Sequence, residues 1–220
     1  MPILVLPLGS WEQHGPHLPL DTDSRIIAAV VDGALQLVDR SEFVVAPVVS
    51  ITASDEHAGF PGTLSAGTAA TTAAVVAIAR SATWARGVCI VNGHGGNVDA
   101  LVAVHRALEH EGITHAIWSP SAEDGDDLHA GRTETSLMLH IDRTSVRVDA
   151  LEPGTQPASD AMELMRAGGV AAVAPNGVLG DPTGATAGEG RRILDRYARS
   201  LADWFEARIS QWPPHGRAPA

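Results

Sequence analysis

Glu12-Gln13-His14-Gly15-Pro16-His17 concentrates hard and borderline metal ligands in one short run directly after an apolar stretch. Glu12 and His14 are one residue apart, so in an extended segment their side chains point to the same side and can share an ion. Pro16 and Pro19 stiffen the chain that follows, and Asp21 and Asp23 add carboxylates at the mouth of an apolar helical pattern. Asp21 is the natural cap of that helix, which leaves Asp23 as a ligand. The plainer alternative has either aspartate capping the helix and the histidines solvated in a loop.

Three further clusters carry chemistry. Asn92-Gly93-His94-Gly95-Gly96-Asn97 has glycines that permit close backbone approach to a ligand, and a helix start whose amides can hold a carboxylate or an oxyanion. It lacks the Lys and Ser/Thr of a phosphate loop. A glycine turn with an incidental histidine is its bland reading. In His129-Ala130-Gly131-Arg132-Thr133-Glu134, the carboxylate precedes Leu137, Met138 and Ile141 at helical spacing, which sets Glu134 on an apolar stripe. A carboxylate placed there needs a metal or an ion pair, for instance with Arg132. Asp55-Glu56-His57-Ala58-Gly59-Phe60 offers ligands too, and His57 is expected to contact substrate rather than metal. His105, His110, His115 and His140 sit in no ligand pattern. Spacing and charge alone reach metal-assisted hydrolysis of a C–N bond.

The elements that must position these groups alternate. Residues 3–8 read as a strand buried on both faces, and Ile26, Ile27, Val30, Val31, Ala34, Leu35 and Val38 as one face of a helix. Strands are expected at 43–49, 87–91 and 113–118. Helices are expected at 67–82, 97–111, from about Arg132, and from about Gly190 to the neighbourhood of Ile209. This rhythm predicts an α/β fold of three α/β/α layers with a mostly parallel central sheet. Ligands in such sheets bind beyond the carboxyl ends of the strands, where the Glu12, His57 and His94 loops emerge. Residues 119–128, 154–157 and 175–190 read as loops at the site or at an interface.

The chain has 220 residues, 45% of them apolar, which is enough for one globular domain over residues 1–212, with 213–220 as a frayed tail. A formal charge of −11 disfavours nucleic acid and anionic membrane surfaces. The opening apolar run is too short to span a bilayer and carries no basic leader, so a cytoplasmic protein is expected. The single cysteine, Cys89, excludes an intrachain disulfide and a thiolate metal site, and reads as a small buried hydrophobe.

The run from Gly9 to Asp23, with Asn92-Gly93-His94 and His129-Ala130-Gly131 through Glu134-Thr135-Ser136, resembles the creatininase family from the first strand to the last helix. The resemblance implies two divalent metal ions. Glu12 and His94 would hold one, His14 and Glu134 the other, and Asp23 would bridge them. His129 matches the family's active-site histidine. The ligand types accommodate zinc, iron or manganese. Creatinine-hydrolysing members carry an aromatic residue and an acidic ligand directly after the histidine matching His94. Here Gly95 and Gly96 stand there, and they are expected to open space for a larger substrate. The segments at Glu56–Phe60, His94–Asn97 and Pro175–Thr186 resemble the family's peptide-cutting members. That implies a modified precursor peptide as substrate, cut near its C-terminus to release a cross-linked Val-Tyr-derived dipeptide, with His57, Gly95, Gly96 and Asn97 on the substrate side. The alternatives are a hydrolase of a small formamide in flavin or deazaflavin precursor synthesis, creatinine hydrolysis, or a metal-binding module without turnover. Members are ring-shaped homo-oligomers, often hexamers.

Overall fold

A computed structural model describes residues 1–123, 125–154, 164 and 168–212. The tail at 213–220 and residues 155–157 of the expected 154–157 loop lie outside the described residues.

Four parallel strands, β1 (Ile3–Leu8), β2 (Phe43–Val45), β3 (Gly87–Asn92) and β4 (His115–Trp118), form one sheet in the order β2-β1-β3-β4. The period-2 alternation of the two central strands divides the core. Ile3, Val5, Cys89 and Val91 face one side, where they pack with α1 (Thr22–Leu35), α4 (Arg132–Ile141) and α5 (Ala187–Gln211). Leu4, Leu6, Leu8, Val88 and Ile90 face the other, against α2 (Gly67–Ser81) and α3 (Val98–His110). This is the expected three-layer α/β/α arrangement, and Cys89 is fully buried in it.

Several boundaries differ from expectation for physical reasons. β2 stops at Val45 rather than Val49, because the next ladder position on β1 is Pro7, which has no N–H to give to Ala46 O. Pairing nevertheless continues on either side of that missing bond, with Ala46 N donating to Val5 O (2.9 Å) and Val49 N to Pro7 O (3.0 Å). α1 ends at Leu35, so Val38 reaches the core from outside the helix. α5 begins at Ala187 rather than near Gly190, because Thr186 accepts from Glu189 N (3.1 Å) as an N-cap. The Glu189 carboxylate continues from there to Arg132 Nε (2.8 Å) and Ser136 Oγ (3.1 Å), tying α5 to α4. Among the described residues no helix is long and apolar enough to cross a membrane.

The order β2-β1-β3 makes the gap between β1 and β3 a topological switch point: the chain leaves β1 toward one side, and β3 returns on the other. Gly9–His17 and Gly93–Asn97 diverge there, and all the ligand clusters collect above it.

Candidate metal centre

β1 delivers Glu12 and His14 into a fully buried position, each with 0% exposure. His14 Nδ1 lies 3.1 Å from the carbonyl of Glu12 and donates to it, which turns Nε2 toward Asp23 Oδ1 (3.2 Å) and Glu134 Oε2 (3.7 Å). Asp23 sits in the first turn of α1. Ser10 Oγ donates to its Oδ2 at 2.8 Å, and His94 Nδ1 is 3.0 Å from the same oxygen. Asp23 therefore faces both histidines, as a bridging carboxylate must. Asp21 occupies the cap position but makes no capping hydrogen bond through its side chain; it accepts from Arg25 Nε instead (2.8 Å).

The turn after β3 is shaped by Asn92, whose Oδ1 accepts from His94 N (3.3 Å) and whose Nδ2 donates to His94 O (2.8 Å). His94 Nε2 reaches the carbonyl of Ala53 (2.8 Å) and lies 3.2 Å from Glu12 Oε2. Glu134 stands in the first turn of α4 with its side chain a quarter exposed, and its Oε2 accepts from Ala130 N (2.7 Å). Ala130 adopts φ +55°, the left-handed region that costs a residue with a Cβ roughly 1–2 kcal/mol. That turn aims both its N–H and the neighbouring His129 ring at the centre. The alternative ion pair between Glu134 and Arg132 does not form, because Arg132 is engaged with Glu189.

His129 rests against the rings of His14 and His57, with centroids 4.3 and 4.4 Å away. Its Nδ1 is 3.8 Å from Glu12 Oε1. His57 is buried with both nitrogens turned to protein atoms, Nε2 at 3.3 Å from Glu12 Oε1 and Nδ1 at 2.8 Å from Gln13 Nε2. His17 is buried behind His14, with Nε2 2.9 Å from Thr135 Oγ1. Asn97 lies beneath the cavity: its Oδ1 accepts from Ala53 N (3.2 Å) and its Nδ2 donates to Asn92 Oδ1 (3.0 Å). It brackets two loops, and both ends of its amide are committed.

Gly95 and Gly96 differ from each other. A Cβ on Gly95 would meet nothing within 4 Å, whereas one on Gly96 would sit 2.0 Å from Glu56 Oε1, 2.4 Å from His94 Nε2 and 2.6 Å from Ala53 O. The expected space exists only at Gly95. At Gly96 it is already filled, by a carboxylate from the loop after β2 and by the His94 ring. Both glycines line a cavity of about 340 Å³ together with Glu12, Glu56, His57, His94, Asp127 and His129. Sequence reasoning gave no definite role to Glu56 or Asp127. Asp127 accepts from Arg132 N (2.6 Å), Thr133 N (2.8 Å) and Asp181 N (3.0 Å), so it starts α4 and ties in the 175–190 loop.

Charge in the centre is frustrated without a metal. Both oxygens of Glu12 are buried with no hydrogen-bond partner, and burial pushes the carboxyl up to about 8. Burial likewise lifts Glu134 to about 7. Burial opposes charge on Asp23 as well, but the flanking His14 and His94 outweigh it and hold the carboxyl well below its usual range. Burial also opposes charge on His14 and His94. The carboxylates around His14, Asp23 foremost, prevail and raise it to about 10, and those around His94 raise it to about 9. Burial, reinforced by cationic neighbours, lowers His57 to about 3 and holds His129 well below the ordinary histidine value.

Orphaned carboxylate oxygens among imidazoles fit divalent cations, which accept both ligand types. Among the described residues three triads bring ligand atoms within 4.8 Å of one another: Glu12–Asp23–His94, His14–His129–Glu134 and Glu12–His57–His129. The first two reproduce the expected grouping of Glu12 with His94 and His14 with Glu134. Metal uptake must displace the protons that His14 and His94 carry from pH 6.5 up to about 9–10. Binding is therefore expected to release protons and to tighten as pH rises through that window. Calorimetry of zinc binding in buffers of different ionisation enthalpy measures the release; uptake without it would contradict this charge distribution.

A sequence model of the family described as "Creatininase: Creatinine amidohydrolase" matches residues 1–205. The mycofactocin precursor peptide peptidase of Mycolicibacterium smegmatis is 50% identical over 220 residues, covering 97% of this chain and 87% of that protein. Among solved structures, a creatininase described with manganese superposes with a TM-score of 0.74 at 27% identity, covering 97% of this chain and 92% of that one. A mutant creatininase of Zn-Zn type does so with a TM-score of 0.74 at 26% identity and the same coverage. With the family's sequence pattern running from β1 almost to the end of α5, a half-identical relative over nearly the whole chain and the fold of the solved creatininases, the chain belongs to the creatininase family.

Proposed function

We propose that this chain is a metal-dependent peptidase that cuts a modified mycofactocin precursor peptide near its C-terminus, releasing the cross-linked Val-Tyr-derived dipeptide. The observation that carries the hydrolytic half is the fully buried, unpartnered carboxylate of Glu12 at the hub of the ligand triads. The peptide half rests on the half-identical relative and on the open side of Gly95.

Glu12, Asp23 and His94 would hold one ion, and His14, Glu134 and the shared Asp23 the other. Zinc, manganese and iron all suit these donors. Divalent ions there supply Lewis acidity and make water a nucleophile near neutral pH. Asp23 stays ionised and draws the two histidines together. Ala130 N–H pins Glu134, so the carboxylate is presented in one orientation. His129, kept neutral, offers its Nδ1 lone pair beside Glu12, where it accepts a proton from the attacking water and returns it to the departing amine. Backbone amides of Gly95 and Gly96 face the carbonyl oxygen as charge develops on it. Family resemblance extends the proposal to a soluble cytoplasmic homo-oligomer, for which light scattering gives the subunit number.

The substrate is tested by incubating the zinc- or manganese-loaded protein with modified precursor peptide, with creatinine and with a formamide of the flavin-precursor type, each followed by mass spectrometry. Dipeptide release with no turnover of the small amides is the expected result. Efficient hydrolysis of either small amide, with the peptide left intact, overturns the reading.

A further inference from the structure

Gln13 lies between two proposed ligands, and the hydrogen bonds around it are over-determined. Its side chain is buried, with the residue 6% exposed. Gly15 N, which can only donate, is 2.9 Å from Oε1; Gly177 O, which can only accept, is 3.1 Å from Nε2. These two backbone groups establish which end of the amide is oxygen and which is nitrogen. Gly177 is at φ +77°, and a Cβ there would fall 1.8 Å from Gln13 Oε1, so the 175–190 loop closes directly onto this amide.

One hydrogen of Nε2 goes to Gly177 O, and the second points at His57 Nδ1, 2.8 Å away. Nδ1 must therefore accept, and the ring proton sits on Nε2, 3.3 Å from Glu12 Oε1. The main chain of the same residue sets the other histidine. Gln13 O is 2.9 Å from His129 Nε2, so that nitrogen carries the proton and the lone pair is on Nδ1, facing the centre. The Gln13 amide also lies 3.2 Å from His129 Nε2, but both of its hydrogens are already directed elsewhere.

We propose that Gln13 is a positioning residue that locks His57 in its Nε2–H tautomer, so that His57 turns an N–H rather than a lone pair toward the Glu12 carboxylate at 3.3 Å and orients it by charge–dipole attraction, without a formed hydrogen bond, instead of acting as a metal ligand. The Glu12–His57–His129 triad is then a site closed by tautomer, and the ions are confined to the Glu12–Asp23–His94 and His14–Glu134 groups. The proposal deepens the metal-centre reading, but its tautomer half stands without any ion.

The experiment is long-range nitrogen–proton NMR on protein labelled in its histidine rings. Spectra are recorded chelator-stripped and zinc-loaded, with His57 assigned from the His57→Gln spectrum. Wild type is expected to show His57 protonated on Nε2 in both states. In Gln13→Glu the carboxylate can only accept, so the His57 proton moves to Nδ1. Gln13→Met removes the donor and leaves the two tautomers mixed. Both variants are expected to bind zinc on the order of 10- to 100-fold more weakly in competition with a chelator, the range of a lost partner behind a ligand. A wild-type His57 protonated on Nδ1 in the stripped protein overturns the proposal even if neither variant folds. So does a Gln13→Glu spectrum that keeps the wild-type tautomer. The stripped spectrum isolates the tautomer claim. A correct tautomer with unchanged zinc affinity in both variants overturns the orienting role, and a wild type that binds no zinc at all overturns the metal centre instead.

Discussion

Glu12→Gln is expected to make the metal-free protein more stable and the enzyme inactive. The carboxyl is lifted from its ordinary 4.5 to about 8 by burial, and neither oxygen has a hydrogen-bond partner. A carboxyl whose folded pKa lies above its unfolded value destabilises the fold increasingly as pH rises from 4.5 to about 8, and fully above that. At about 1.4 kcal/mol per pKa unit the penalty is roughly 3 kcal/mol near pH 7. An uncharged amide of the same shape escapes it. The same change removes the charged ligand of the Glu12–Asp23–His94 group, and losing Lewis acidity worth several kcal/mol lowers kcat/KM on the order of 10³-fold or more. Urea unfolding of chelator-stripped wild type and variant across pH 5 to 9, with peptide turnover measured in parallel, checks both halves. A variant less stable than wild type throughout, or one that keeps its activity, contradicts the assignment of Glu12 as a residue held in strain for a metal.

Gly96→Ala and Gly95→Ala should have opposite consequences although the two sites are adjacent. The Gly96 Cβ would overlap Glu56 Oε1, His94 Nε2 and the Ala53 carbonyl. Glu56 has a flexible end that can swing away. Ala53 is backbone bracketed by Asn97, so the displacement falls on His94, a proposed ligand. Overpacking of this kind costs about 1–3 kcal/mol. With His94 pushed off the Glu12–Asp23 pair, zinc affinity should fall by at least ~100-fold, beyond the usual effect of a lost outer partner. Gly95→Ala meets open space and should keep both the melting temperature and the zinc affinity, changing only KM for the peptide. Thermal unfolding and chelator competition on the two variants decide it. Equal zinc affinity in Gly96→Ala and wild type would mean that the turn after β3 does not hold His94 as described.

Much of the architecture was legible because the signals were local. β1 is an unbroken six-residue apolar run and β3 carries four apolar residues, Val88–Val91, whose alternation with those of β1 assigns them to one of two cores. Glu12, His14, Asp23, His94 and Glu134 were also legible, because histidines and carboxylates clustered beyond the strand ends form the donor set that a divalent cation requires. Less visible were residues whose role depends on partners far along the chain. Gln13 reads as a spacer in an extended segment, yet Gly15, His57, His129 and Gly177 all converge on it. Asn97 reads as a substrate contact, but Ala53 and Asn92 consume its amide. Gly96 reads as vacant space because nothing local shows that Glu56, forty residues earlier, fills it. Ala130 carries no sequence signal for a positive φ, since glycine or asparagine is the usual occupant of such a turn.

The Glu12–Asp23–His94 and His14–Glu134 groups are proposed to hold metal for hydrolysis. Elemental analysis of protein purified without added metal, with cleavage of the modified precursor peptide followed on the same sample before and after chelator treatment, tests it most directly. Two divalent ions per chain, loss of cleavage when they are stripped, and recovery on adding zinc or manganese are expected. Undiminished cleavage by protein containing no metal would contradict the proposal.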